Sequence, residues 1–179
     1  MDETEDESYA AFLAERREEI LQRIAEAAAR AGRDPSEVEL LAVSKTVDVP
    51  QVNLAWKAGY LAFGENRPQE LVRKLKGLAA YPQMDGARFD MIGHLQTNKV
   101  REVVGNVTLI QSVSSLHLAE AISKRGVSHD VTSDVLLEVN VSGEESKSGF
   151  SPDEVRAALD DILALPALRV RGLMTMAPA

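Results

Sequence analysis

Apolar residues at Tyr9, Phe12, Leu13, Ile20, Ile24 and Ala27 or Ala28 recur at helical spacing, with Glu and Arg between them. This pattern predicts one long amphipathic helix over residues 8–31, ended by Gly32. After Pro35 the pattern changes to short apolar runs, at residues 40–44, 60–64, 89–93, 108–111, 135–141 and 170–176, separated by helical stretches. Six strands alternating with helices predict a parallel sheet built from right-handed βαβ units. Ser151-Pro152-Asp153-Glu154 supplies a capping-box pair and a proline at the first helical position, so a helix should start there and stop by Pro166. Asp48 ahead of Pro50, and Asn66 ahead of Pro68, read as starts of the first and second crossover helices. Val52, Leu54 and Trp56 are expected to pack the first of these on the sheet. Asp153, Glu154, Asp160 and Asp161 read as a solvated helix face.

The apolar runs end in residues able to bind a polar ligand or do chemistry: Lys45, Glu65 with Asn66, His94 with Gln96, Asn140 with Ser142, and Thr175. The fourth run ends more weakly, in Gln111-Ser112. In a (β/α) barrel such ends converge on one face, where active sites are built. A doubly wound sheet also places ligands at strand ends, but its first turn usually carries a Gly-rich phosphate loop. Ser44-Lys45-Thr46-Val47-Asp48 has no glycine, which favours the barrel. Lys45 closes the first run, and an amine there, partly desolvated, would be a nucleophile towards an aldehyde. The same position also suits a lysine that ends a strand by reaching into water.

Composition narrows the classes. The chain has 179 residues, no cysteine, and 20 Lys plus Arg against 28 Asp plus Glu, a net charge of −8. A broad phosphate-backbone footprint is disfavoured, so nucleic acid is not an expected partner. No segment is long and apolar enough to span a membrane. Without cysteine there are no disulfides, thiolate metal sites or thiol nucleophiles, and the acidic start Met1-Asp2-Glu3-Thr4-Glu5-Asp6-Glu7 is unlike a secretory signal. The expected location is the cytoplasm. His94, His117 and His129 lack metal-ligand spacing, so no metal is expected; His94 is a candidate proton carrier or a hydrogen-bonded structural residue.

Ala42-Val43-Ser44-Lys45, Phe63-Gly64-Glu65-Asn66, the segment Ile92-Gly93-His94-Leu95-Gln96-Thr97-Asn98-Lys99, the stretch from Val139-Asn140-Val141-Ser142 through Lys147-Ser148-Gly149, and Arg171-Gly172-Leu173-Met174 fall in order at strand ends. Together they resemble the YggS/PROSC family of pyridoxal 5′-phosphate (PLP) homeostasis proteins, whose fold is that of the alanine racemase N-terminal domain, a fold type III (β/α) TIM barrel. The resemblance implies that PLP is the cofactor and that Lys45 holds it as a Schiff base. It also places Asn66 at the cofactor, where an amide that both donates and accepts hydrogen bonds suits the ring or its 3-hydroxyl; a helix N-cap is the other role open to Asn66. Met174 would face the cofactor by position, or fill the core. Lys147, in the loop of residues 143–149, is a candidate auxiliary amine that accepts and releases the aldehyde, or a solvated loop residue.

This chain departs from the family pattern at Arg67-Pro68, where Tyr-Val is common, and at Phe89-Asp90, where Trp-His is common. A complete barrel needs eight βα units and typically about 250 residues. The chain is therefore expected to be one barrel domain over residues 1–179 that covers six of the eight units. The family's phosphate-gripping segments would lie in the remaining two. The implied function is binding and carrying PLP with little or no catalysis, handing it to PLP-dependent apoenzymes, as a monomer once the barrel is complete. The alternative is a PLP-dependent amino-acid racemase. That reading needs acid/base groups on both faces of the substrate, and Tyr9, Tyr60 and Tyr81 are not placed for it by the predicted elements.

Overall fold

A computed structural model describes residues 3–144 and 147–177. The expectations attached to Met1, Asp2, Glu145, Ser146, Pro178 and Ala179 lie outside the described residues. The elements follow the order α1 (Glu3–Arg30), β1 (Leu41–Val43), α2 (Val49–Lys57), β2 (Ala62–Glu65), α3 (Pro68–Gly77), β3 (Arg88–Met91), α4 (Val100–Val103), β4 (Leu109–Val113), α5 (Leu116–His129), β5 (Ser133–Glu138), α6 (Pro152–Leu163) and β6 (Leu168–Met174). All six expected strands form, in one sheet of order β1-β2-β3-β4-β5-β6. The pairs β3–β4, β4–β5 and β5–β6 are parallel. Sequential parallel order is what successive right-handed βα units produce.

The chain divides into two compact units, one of residues 1–63 with 76–88, the other of residues 64–75 with 89–179. In the first, α1 starts five residues earlier than the periodicity predicts, and the acidic residues Glu5, Asp6 and Glu7 fall in its first turns, where carboxylates complement the helix dipole. Gly32 ends it as expected, at φ +65° with Arg33 N–H bonded to Ala28 O at 2.9 Å, a closure that favours glycine. Tyr9 stacks on Phe12, the Arg16 guanidinium lies 5.4 Å from the Phe12 ring, and Tyr60 Oη donates to Leu13 O. Helix α2 starts behind Asp48, whose N–H donates to Gln51 Oε1 at 3.1 Å. Val52 and Leu54 are buried as expected. Trp56 is only half-buried, and its Nε1 donates to Asp85 O at 3.2 Å, so it ties α2 to a loop.

In the second unit the fully buried side chains include Leu71, Met91, Val103, Ile110, Ile122, Leu137 and Ile162, drawn from every strand and helix layer between α3 and α6. Helix α3 begins at Pro68, with Leu71 N–H bonded to Arg67 O, so Arg67 precedes the helix and Asn66 stands one residue outside the N-cap position. Helix α6 starts as its sequence predicts: Glu154 N–H donates to Ser151 Oγ at 3.2 Å, and Ser151 N–H donates to Glu154 Oε2 at 2.7 Å. The Ser151 donors hold the Glu154 carboxyl below the usual carboxylate range. Ser151→Ala removes one half of this exchange and is expected to lower unfolding free energy by about 1 kcal/mol; a urea midpoint equal to that of the unmodified chain would show that the cap contributes nothing.

Candidate functional site

In the first unit β1 ends at Val43, Ser44 is buried, and Val47 N–H bonds to Ser44 O at 3.1 Å to close a turn. Lys45 sits in that turn and is exposed. The strand thus delivers the amine to the surface, as the sequence predicts, but the partial burial expected to sharpen its nucleophilicity is not present at this position.

In the second unit β2 ends at Glu65, and Asn66 follows it, half-buried. Glu65 and Lys74 form an ion pair in which the two side chains are 0% and 1% exposed. The pair links the end of β2 to the middle of α3 and so braces the turn that carries Asn66. Ile92 N–H donates to Glu65 O at 2.9 Å, which brings the end of β3 beside the same turn. There Gly93 approaches Asn66 so closely that a Cβ on Gly93 would lie 2.2 Å from Asn66 O and 2.6 Å from its Cα. Ser112 Oγ donates to Gly93 O at 2.6 Å and holds it from the other side. His94, the next residue, is exposed, and neither the proton-carrier nor the structural role has a described contact to support it.

The ends of β5 and β6 make a pocket of about 200 Å³ whose lining includes Glu138, Asn140, Lys147, Ser148, Thr175 and Met176. Asn140 organises the loop: its Nδ2 donates to the carbonyls of Glu144 and Lys147, and its Oδ1 accepts from Ser142 Oγ and Gly143 N–H. Lys147 Nζ pairs with Glu144 Oε1 at 2.8 Å, and this contact holds the Glu144 carboxyl below its ordinary range. Met174 is half-buried at the end of β6, directly opposite Glu138 in the ladder, so the two side chains share a face. Thr175 is exposed just past the strand.

The structure therefore brings Asn140, Lys147 and Thr175 together at one pocket, and Asn66 beside Gly93 in a separate clamp of the same unit. Sequence reasoning missed Lys74, Gly93 and Glu138. Glu138 did carry a signal, being a carboxylate inside the apolar run Val135-Leu136-Leu137-Glu138-Val139. Lys74 had none, because a lysine on an amphipathic helix is ordinarily solvated. Among the described residues no three His, Cys, Asp or Glu side chains gather as a metal site, and no helix is long and apolar enough to cross a membrane.

Comparison with known proteins bears on the same strand ends. The family profile of the alanine racemase N-terminal domain matches residues 16–179. A protein of Aquifex aeolicus named pyridoxal phosphate homeostasis protein is 40% identical over 92% of this chain and 70% of its own length. The crystal structure of an unknown protein from Bifidobacterium adolescentis superposes with a TM-score of 0.89 at 40% identity, covering 99% of this chain and 72% of that one. PipY of Synechococcus elongatus, solved with PLP bound, has a TM-score of 0.73 at 34% identity, over 87% of this chain and 71% of its own. With the barrel-type βα order, the polar strand ends and these likenesses in agreement, the chain belongs to the pyridoxal phosphate homeostasis proteins, within the family of the alanine racemase N-terminal domain.

Proposed function

We propose that this chain binds PLP covalently through Lys45 and carries it, with little or no catalysis. The observation that supports this reading best is an accessible amine at the carboxyl end of β1, in a chain whose relative PipY was solved with PLP bound. When bound, the cofactor supplies an aldehyde that a lysine amine captures as an imine.

The residues present suit such a guest. Lys45 offers a primary amine free of burial, so it meets an incoming aldehyde without a gate. Asn66 offers an amide carried on a backbone that Gly93 approaches too closely for any side chain at that position. Met174 offers a soft, half-buried surface for the ring. Lys147 is the second amine of this reading: the Glu144 carboxylate holds its ammonium in place, and loss of a proton would free it to accept the aldehyde from Lys45. No residue is assigned to the 5′-phosphate, whose grip the resemblance places in barrel units seven and eight. Recipients are expected to be PLP-dependent apoenzymes, and the carrier itself a monomer once the barrel is complete. Racemisation is disfavoured because Tyr60 is buried with its hydroxyl on Leu13 O and Tyr9 stacks on Phe12, while Tyr81 follows the short 3-10 turn of residues 78–80.

The test is an absorbance titration with PLP, then borohydride reduction and peptide mass mapping, on the unmodified chain, Lys45→Ala and Lys147→Ala. Lys45→Ala is expected to lose the cofactor-sized adduct at that position entirely. Lys147→Ala should keep it but slow uptake and release severalfold. An adduct of equal yield in Lys45→Ala, carried elsewhere, would overturn the assignment, and unchanged rates in Lys147→Ala would remove the second amine.

A further inference from the structure

Glu138, the last residue of β5, has no part in the reading above. It is 8% exposed. Its Oε1 accepts from Ser148 Oγ at 2.9 Å, whereas its Oε2 is buried with no hydrogen-bond partner among the described residues. A buried carboxylate oxygen without a donor is costly, more so when the group is ionised. The side chain borders the pocket at the ends of β5 and β6 and shares the face and level of Met174.

Two other polar side chains at this pocket, Asn140 and Lys147, are engaged within their own loop. The Asn140 amide is engaged at both ends, and the Lys147 ammonium rests on Glu144. Glu138 Oε2 is a buried acceptor at this pocket with no donor among the described residues. The strongest donor for it is a cationic N–H, since a charge-assisted bond is about twice as strong as a neutral one. The walls beside it, Val139, Val141 and Met176, are apolar, and a volume of about 200 Å³ admits only a small alkyl body.

We propose that this pocket is a subsite for a small primary ammonium compound, seated with its N–H groups on Glu138 Oε2 and its carbon body against Val139, Val141 and Met176. Because Oε2 is closed off from solvent, seating requires the carboxylate to turn about its terminal torsion, which is soft. Primary amines are the class of compound to which a lysine-held aldehyde passes, and a seated ammonium becomes such a nucleophile by giving one proton to the Glu138 carboxylate. The subsite therefore names the chemistry of the acceptor in the carrier reading, and rests on that reading for its purpose though not for its binding.

The test uses methylammonium chloride as probe on the cofactor-free chain, at constant ionic strength in potassium chloride. Tetramethylammonium, which has the charge but no N–H, serves as control. Saturable methylammonium binding by calorimetry or chemical-shift titration is expected, at least tenfold weaker in Glu138→Gln, with no saturable binding of tetramethylammonium. Should Glu138→Gln fail to fold, Val141→Phe carries the same test, since it narrows the exposed rim of the pocket. No saturable binding, equal binding in the variant, or equal binding of both cations would overturn the subsite. PLP capture by the unmodified chain is followed in parallel. Capture at Lys45 without methylammonium binding would sink only the subsite, and methylammonium binding without capture would sink only the carrier reading.

Discussion

Lys74→Met is expected to lower the unfolding free energy by about 3–5 kcal/mol, the usual cost of stripping one partner from a buried ion pair. Lys74 and Glu65 are 1% and 0% exposed, so removing the ammonium takes a counter-charge from a carboxylate that has no access to water. The desolvation penalty of that carboxylate dominates, since Met fills nearly the volume of the lysine stem. The double replacement Glu65→Leu with Lys74→Met removes both charges and should recover most of the loss, because an apolar pair of similar size often equals or exceeds a buried ion pair in stability. Urea unfolding of the three variants decides it. A shift under about 1 kcal/mol for Lys74→Met, or no recovery in the double variant, would mean that the pair is solvated in a way its burial does not suggest. The effect should reach the site too, because Glu65 immediately precedes Asn66 at the end of β2.

Gly93→Ala is expected to weaken PLP binding at least tenfold. A Cβ at Gly93 would stand 2.2, 2.6 and 2.8 Å from the O, Cα and C atoms of Asn66. These are backbone atoms and cannot rotate aside, so the turn carrying Asn66 must move, and overpacking of this kind costs about 1–3 kcal/mol. Gly105→Ala is the informative contrast. Gly105 has φ +82°, with only Val131 Cγ2 at 3.8 Å from its would-be Cβ, so that variant is strained in its backbone but displaces no site residue. Both variants should melt earlier, and only Gly93→Ala should lose cofactor affinity and alter the spectrum of the bound cofactor. Unchanged affinity in Gly93→Ala would show that the position of Asn66 does not govern binding.

The chain states its elements openly. The helical period of residues 8–31, the six apolar runs and the capping residues Asp48 and Ser151 each name a local structure, and each is found within a few residues of its expected place. The errors fall at ends, where local pattern is weakest. Helix α1 begins earlier because its acidic prefix is helical. Asn66 stands outside the N-cap position because Pro68, which supplies no N–H and has the φ of a first helical residue, sets the start of α3 one residue later. Polar residues at strand ends were legible for the same reason, since they interrupt apolar runs at the point where a strand surfaces.

By itself, then, the sequence determined the alternation of strands and helices, the strand-end location of Lys45, Asn66, His94, Asn140 and Thr175, and the resemblance those residues carry. All of these depend on residues near one another in the chain. Only the tertiary structure decided that Lys74 is buried on Glu65, that Gly93 lies against the Asn66 backbone, that Lys45 is exposed, and that Glu138 keeps one oxygen without a donor beside the pocket at β5 and β6. The physical reason is that burial and close approach belong to pairs of segments. They are set by which strands lie side by side and in what register, and no local pattern of hydrophobic and polar residues records either.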